Sequence, residues 1–259
     1  MKIIFAIAKI VLKELVRRKD AYVLLIITVL LTLLSGSAHF FGDMKMVRYV
    51  KELCLLLVWV SSIVIAVTLA ARQIHAERES RTLFSLLAKP LSRNQVILGK
   101  FLGCWLACGA ALFVFYAFFV VTAVSRGEHW RLAENFQALW LHWIMLGIIV
   151  AMVMAGSLLF AAPSSNSTIC FIVVLGILML GRHLGKLAIH MAEPYQTVAL
   201  AIYYVMPHLE FYDLRDLIIH DWPLVKWNVV GIATLYGATY AGLFLGLACI
   251  LFRYKPLNA

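Results

Sequence analysis

The chain has 259 residues, 63% of them apolar and 14% charged, with a formal net charge of +10. A water-soluble domain of this length keeps an ordinary share of charge at its surface, so the composition excludes one and makes a lipid bilayer the natural solvent. The five cysteines (Cys54, Cys104, Cys108, Cys170, Cys249) lie in apolar runs without a CxxC pair, which indicates neither a disulfide framework nor a zinc site.

Residues 1–20 read as an amphipathic helix. Ile4, Ile7, Val11 and Leu15 share one face, Lys9, Lys13 and Arg17 form a basic stripe, and Glu14 pairs with Arg18 at i,i+4. Lys9 and Lys13 interrupt what would be the apolar core of a cleavable signal. The segment is therefore expected to lie in the membrane interface ahead of the first crossing.

A bilayer core of about 30 Å needs about 20 helical residues. The expected spans are Ala21–Ala38, Leu53–Ala71, Phe101–Val124, Ala138–Ala161, Asn166–Leu180 and Asn228–Phe252. The fifth is the shortest and ends at Gly181-Arg182-His183, with room for a bent or half-inserted continuation in residues 181–227. The expected fold is all-α, a single integral-membrane domain with both termini on one side.

Segments 1–20, 72–100, 162–165 and 253–259 carry 14 of the 23 Lys and Arg but only four of the 13 acids. The positive-inside rule then puts these segments, and both termini, in the cytoplasm, where anionic lipid holds them. No basic stretch falls outside this pattern, so the charge does not indicate nucleic-acid binding.

The connection at 72–100 is the most informative. Dense alternating charge (Glu77, Arg78, Glu79, Arg81) leads into a short apolar run, Leu83, Phe84, Leu86 and Leu87. Pro90 stops that run, and Ser92 with Gln95 forms an S-x-x-Q capping box for the next helix. A helix so short and apolar needs cover. Two readings stand: docking in a partner's groove with the charges at the rim, or lying flat among lipid head groups.

The run Glu77-Arg-Glu79-Ser-Arg-Thr82-Leu83-Phe84-Ser-Leu86-Leu87-Ala-Lys-Pro90-Leu-Ser-Arg93-Asn-Gln-Val-Ile-Leu-Gly-Lys-Phe101 resembles the signature of ABC-2 type permeases. It is similar in particular to the branch linked to multicopper-enzyme and nitrous-oxide-reductase maturation. The stretch Tyr203-Tyr204-Val-Met-Pro207-His208-Leu-Glu210-Phe-Tyr-Asp213-Leu-Arg215 resembles that branch too, with His208 where Asn is usual.

The resemblance implies six membrane helices behind an interfacial helix, and a coupling helix seated on a separate ABC ATPase that is present in two copies. ATP and Mg2+ would be bound by that ATPase, and a second permease subunit, normally a homodimer partner, would complete the exporter in an inner membrane. It assigns ATPase docking to Glu77, Glu79, Thr82, Leu83, Phe84, Leu86 and Leu87, with Pro90 and Arg93 fixing the elbow. Gly181-Arg-His-Leu-Gly185-Lys186 fails as a phosphate-binding loop by one residue and a missing hydroxyl, so no ATPase activity is expected of the chain itself.

Tyr203, Tyr204, Pro207, Glu210, Asp213 and Arg215 form either an external gate or an ion-paired knot bracing the segment. Gly99, Gly103, Ala107 and Ala111, like Ala238, Gly242 and Gly246, recur at small-residue spacing that suits either a subunit interface or packing within one chain. The histidines (His39, His129, His142, His183, His190, His208, His220 on or near the outer face, His75 opposite) form no metal array and read as loop residues. No apolar span carries a charged residue at its centre, which argues against an ion-coupled carrier. An ATPase-driven scaffold acting on an external partner is the alternative function; an intramembrane enzyme lacks every needed motif.

Overall fold

The computed structural model describes residues 2–17, 19–37, 43–79, 92–125 and 131–254. Among them there is no strand. The helices are α1 (Lys2–Arg17), α2 (Lys19–Ser37), α3 (Asp43–Glu79), α4 (Arg93–Ser125), α5 (Leu132–Leu159), α6 (Pro163–Ile189), α7 (Tyr195–Val205), α8 (Arg215–Ile219) and α9 (Trp227–Tyr254), with a 3-10 turn at Leu209–Tyr212. Among the described residues five stretches are long and apolar enough to cross a membrane: Arg48–His75, Arg93–Ser125, Leu132–Leu159, Pro163–Gly181 and Trp227–Tyr254.

At 1.5 Å per residue, α3 is about 55 Å long and α4 about 50 Å, well beyond a 30 Å core. The excess of α4 and part of that of α3 lie at the same end. Residues 72–79 continue α3 and residues 93–100 begin α4, so much of the expected loop at 72–100 is helix. We call this the loop end, and the opposite one the far end. The capping box forms as expected: Gln95 N–H donates to Ser92 Oγ at 3.3 Å, and Ser92 N–H to Gln95 Oε1 at 3.2 Å.

α5 is the axle of the bundle. It is apolar all round, as a helix surrounded by others must be, and Ile144 to Ala155 is almost wholly buried. A three-residue turn, 160–162, and Pro163 at the first helical position turn the chain back into α6. The buried Asn166 locks this turn: its amide donates to Ser157 Oγ (2.8 Å) and Val153 O (3.2 Å). His75 of α3 meets Phe160 O at 3.2 Å from the other side.

α1 differs from a helix lying free in the interface. It docks along α4, with Ile7 against Gly99, and Val11 and Ala8 against Gly103. A Cβ on Gly103 would stand 2.7 Å from Val11 Cβ and 2.9 Å from the Ala8 backbone. Gly99 and Gly103 thus serve packing within the chain, while Lys9, Lys13 and Arg17 stay exposed as the sequence suggested, together with Phe5, Ile10 and Leu12. On α9, by contrast, Ala238, Gly242 and Gly246 face outward.

α4 and α5 are clasped by a tryptophan pair that the sequence reading missed. Trp105 and Trp143 stack with centroids 4.5 Å apart and planes at 16°. Each indole N–H donates to the other's backbone carbonyl, at 2.9 and 3.0 Å.

Candidate functional site

Two polar assemblies stand out from the apolar bundle, one at each end. The loop-end assembly joins the helices that flank residues 80–91. Lys100 of α4 is only 3% exposed and donates to the backbone carbonyl of Gln73 on α3. The Gln73 amide donates in turn to Glu14 Oε2 of α1 at 2.9 Å. Arg93, at the start of α4, donates to Phe252 O (2.9 Å) and Arg253 O (3.1 Å) and covers the Phe252 ring at 5.8 Å. A cation on the last carbonyls of a helix answers both their unmet acceptors and the negative end of the helix dipole. α1, α3, α4 and the end of α9 are thereby tied into one body.

Of the residues that the resemblance assigns to docking, Arg93 is placed in this body as a cap on α9. Glu77 and Glu79 extend the backbone of α3. Thr82, Leu83, Phe84, Leu86, Leu87 and Pro90 lie outside the described residues.

A Lys100→Met substitution should remove a charge-assisted bond to the buried Gln73 carbonyl, a loss of about 1.5–3 kcal/mol. Its expected signature is local. Amide exchange should rise in residues 2–17 and stay unchanged at the far end of α5, as hydrogen-exchange mass spectrometry would record.

The far-end assembly is built by the segment between α6 and α9. This segment folds back into the bundle: Leu209, Tyr212, Leu214, Leu217, Ile218 and Ile219 are buried. It plugs the space between α3, α5, α6 and α9 instead of forming an open external loop.

The two halves of the expected gate separate here. In the first half, Tyr203 and Tyr204 meet edge to face at 5.6 Å, Tyr203 abuts His208 at 4.4 Å, and Glu210 lies against Gly181 of α6. Pro207 is buried at the bend between α7 and the 3-10 turn. In the second, Arg215 forks onto Asp213, with Nε to Oδ1 and Nη2 to Oδ2 both at 2.8 Å. Burial disfavours the Arg215 charge, but its bonds to Asp213 outweigh that and raise its pKa. The same guanidinium covers the Trp59 ring of α3 at 4.5 Å, a cation–π contact that pins the plug to the bundle wall.

Below Trp59 the polar path continues. Ser62 Oγ donates to Trp59 O at 2.8 Å and shares a 2.8 Å hydrogen bond with His142 Nε2. With the one hydroxyl proton committed to the carbonyl, His142 donates from Nε2. Its ring stands edge-on to Tyr116 of α4 at 6.1 Å. His142 is 3% exposed and His208 7%, so neither is the loop residue expected from the sequence. The only sequence signal for His142 is its place inside a span.

At the rim of the far end, Lys51 and Arg131 each approach Asp221 Oδ1 at 3.5 Å. Among the described residues no group of three or more His, Cys, Asp or Glu side chains is placed to hold a metal ion.

The arrangement is a long-helix bundle braced at one end and plugged at the other. The sequence pattern of the ABC-2 family transporter proteins matches residues 5–255, nearly the whole chain. The chain belongs to the ABC-2 transporter family. No curated protein matches it. As an ABC-2 protein it is a multi-pass membrane component of an ATP-binding cassette system.

Proposed function

We propose that this ABC-2 protein is the permease half of an exporter, driven by a separate ATPase that docks on residues 77–93. The supporting observation is the loop-end body. The helices on both sides of residues 80–91 are cross-braced by Lys100, Gln73 and Glu14, and Arg93 carries the brace to α9. A force applied to the loop would move α1, α3, α4 and α9 together instead of bending one helix.

α2, nineteen residues and about 28 Å long, is counted as the sixth crossing beside α3, where Thr28 Oγ1 and Ser61 Oγ stand 3.5 Å apart. The loop end is assigned to the cytoplasm by its excess of Lys and Arg. Two copies of the permease and two of the ATPase, with ATP and Mg2+ held by the latter, complete the assembly in an inner membrane. The far-end plug is the gate that this motion would release.

Co-purification from the native membrane tests the reading. Wild type should bring down a Walker-containing ATPase, and a Leu83→Glu/Leu86→Glu variant should lose it while still inserting and folding. Recovery of the ATPase with both forms would overturn the assignment of the docking segment. Recovery of no ATPase with wild type under gentle extraction would overturn the exporter itself.

A further inference from the structure

The first half of the plug holds a buried carboxylate oxygen that no described residue satisfies, beside an imidazole nitrogen that none of them bonds. Glu210 Oε2 is buried without a hydrogen-bond partner. His208 spends Nδ1 on Met206 O at 2.8 Å, beside the Tyr236 hydroxyl at 3.2 Å, and no described residue bonds its Nε2. A buried carboxylate oxygen left unmet costs about 1–3 kcal/mol or more, so Glu210 calls for a positively charged partner from outside the fold.

The surroundings say which partner. His208 is walled by Tyr203 at 4.4 Å and by Phe211 stacked at 5.2 Å, and Tyr236 and Tyr240 continue the wall at 4.8 Å from each other. The wall is built against α6 by two glycines one turn apart. A Cβ on Gly181 would fall 2.4 Å from Glu210 Oε2, and one on Gly185 would fall 3.0 Å from the Tyr203 ring. The carboxylate and the aromatic wall therefore meet α6 about 6 Å apart along its axis.

A carboxylate and an imidazole acceptor beside aromatic faces match an organic cation, whose charge the carboxylate answers and whose N–H or N–CH3 groups the rings attract. An anion would meet the carboxylate's repulsion. Ca2+ or Mg2+ would need about six oxygen ligands and Zn2+ three or four His, Cys or carboxylate ligands, and no described group of three such side chains stands here. Tyr204, Val205 and Ile202, beside the site on α7, are exposed apolar surface. They suit the hydrocarbon part of an amphiphile.

We propose that Glu210, His208, Tyr203 and Tyr236 form a site for an alkylammonium group, carried by a lipid head group or by a free solute. As a substrate assignment it rests on the exporter reading; as a binding site it does not.

The test uses the full-length protein in phosphatidylglycerol nanodiscs, with no ATPase present, and titration calorimetry. The probes are choline chloride, lysophosphatidylcholine and lysophosphatidylglycerol. Saturable binding of a choline-bearing probe is expected, weakened about tenfold or more by Glu210→Gln. Gly181→Ala, which displaces the carboxylate, should weaken it similarly. Glu193→Gln, at an exposed carboxylate bonded to Thr197, should bind as wild type. Binding of choline itself identifies a free solute as sufficient, and binding of lysophosphatidylcholine alone identifies the lipid head group.

Equal binding by Glu210→Gln, equal binding of lysophosphatidylglycerol, or no saturable binding would each overturn the site. Unchanged melting of the variants separates a lost site from a lost fold. Because no ATPase is present, a negative result leaves the docking experiment untouched, and a failed docking experiment leaves this one readable.

Discussion

An Arg215→Met variant should lose about 2–4 kcal/mol of stability, because it takes the cationic partner from Asp213 and leaves weaker bonds such as that from the backbone N–H of residue 215 at 3.3 Å. The side chains are 22% and 10% exposed, and two parallel 2.8 Å bonds join them, so the interaction is far from a solvated surface pair. The methionine keeps much of the contact with Trp59 but none of the charge. Asp213→Asn should cost less, since arginine can still reach water. The double variant should cost less than the sum of the two, the coupling expected of groups in direct contact. Thermal unfolding in nanodiscs measures all three.

The same series separates a gate from a brace. If the plug is the gate, loosening it from Trp59 should raise ATP hydrolysis by the assembled complex without a matching rise in transport. If the pair only braces the fold, hydrolysis should fall in step with the amount of folded complex. A stability loss below about 0.5 kcal/mol for Arg215→Met would show that neither account describes it.

What could be read in the sequence divides along physical lines. The capping box at Ser92 and Gln95 was legible because its two bonds depend only on residues three apart. The buried face of α1 was legible too: Ile7 and Val11 obey the helical period, and both are buried. What that face packs against was not, because Gly99 and Gly103 offer the same small-residue spacing to a helix of their own chain or of another.

The stretch Gly181-Arg-His-Leu-Gly185 shows the same limit more sharply. As sequence it is a failed phosphate loop; in the fold its glycines seat Glu210 and Tyr203, partners 29 and 18 residues away. The exposed or buried state of His142 and His208 also depended on which helices surround them, and spacing along one helix carries no such information. The split of the expected gate into an aromatic half on α6 and α9 and an ionic half on α3 arises from the plug's fold, since the chain turns between Glu210 in the 3-10 turn and Arg215 at the start of α8.

The tryptophan clasp had a readable trace after all, a Trp-x-x-x-Gly spacing that occurs on both of the helices it joins. Trp105 is followed by Gly109, and Trp143 by Gly147. A Cβ on Gly109 would lie 2.5 Å from Trp143 Nε1, and one on Gly147 would lie 2.9 Å from Trp105 Nε1. Each glycine thus leaves room for the partner indole to reach a backbone carbonyl one turn earlier. In lipid, where apolar burial does not drive helices together, close packing and such hydrogen bonds supply the association.

Gly109→Ala should therefore cost about 1–3 kcal/mol, since a rigid indole must withdraw from a crowded seam and take its hydrogen bond with it. Trp143→Phe should cost about 1–2 kcal/mol through the lost N–H bond and part of the stack. The decisive measurement is the pair made together. Phenylalanine has no Nε1 to meet the new methyl group, so the double variant should be less destabilised than the sum, close to Trp143→Phe alone. Strict additivity in thermal unfolding would mean that the two sites act separately, and that the α4–α5 seam is held by its general packing and not by the clasp.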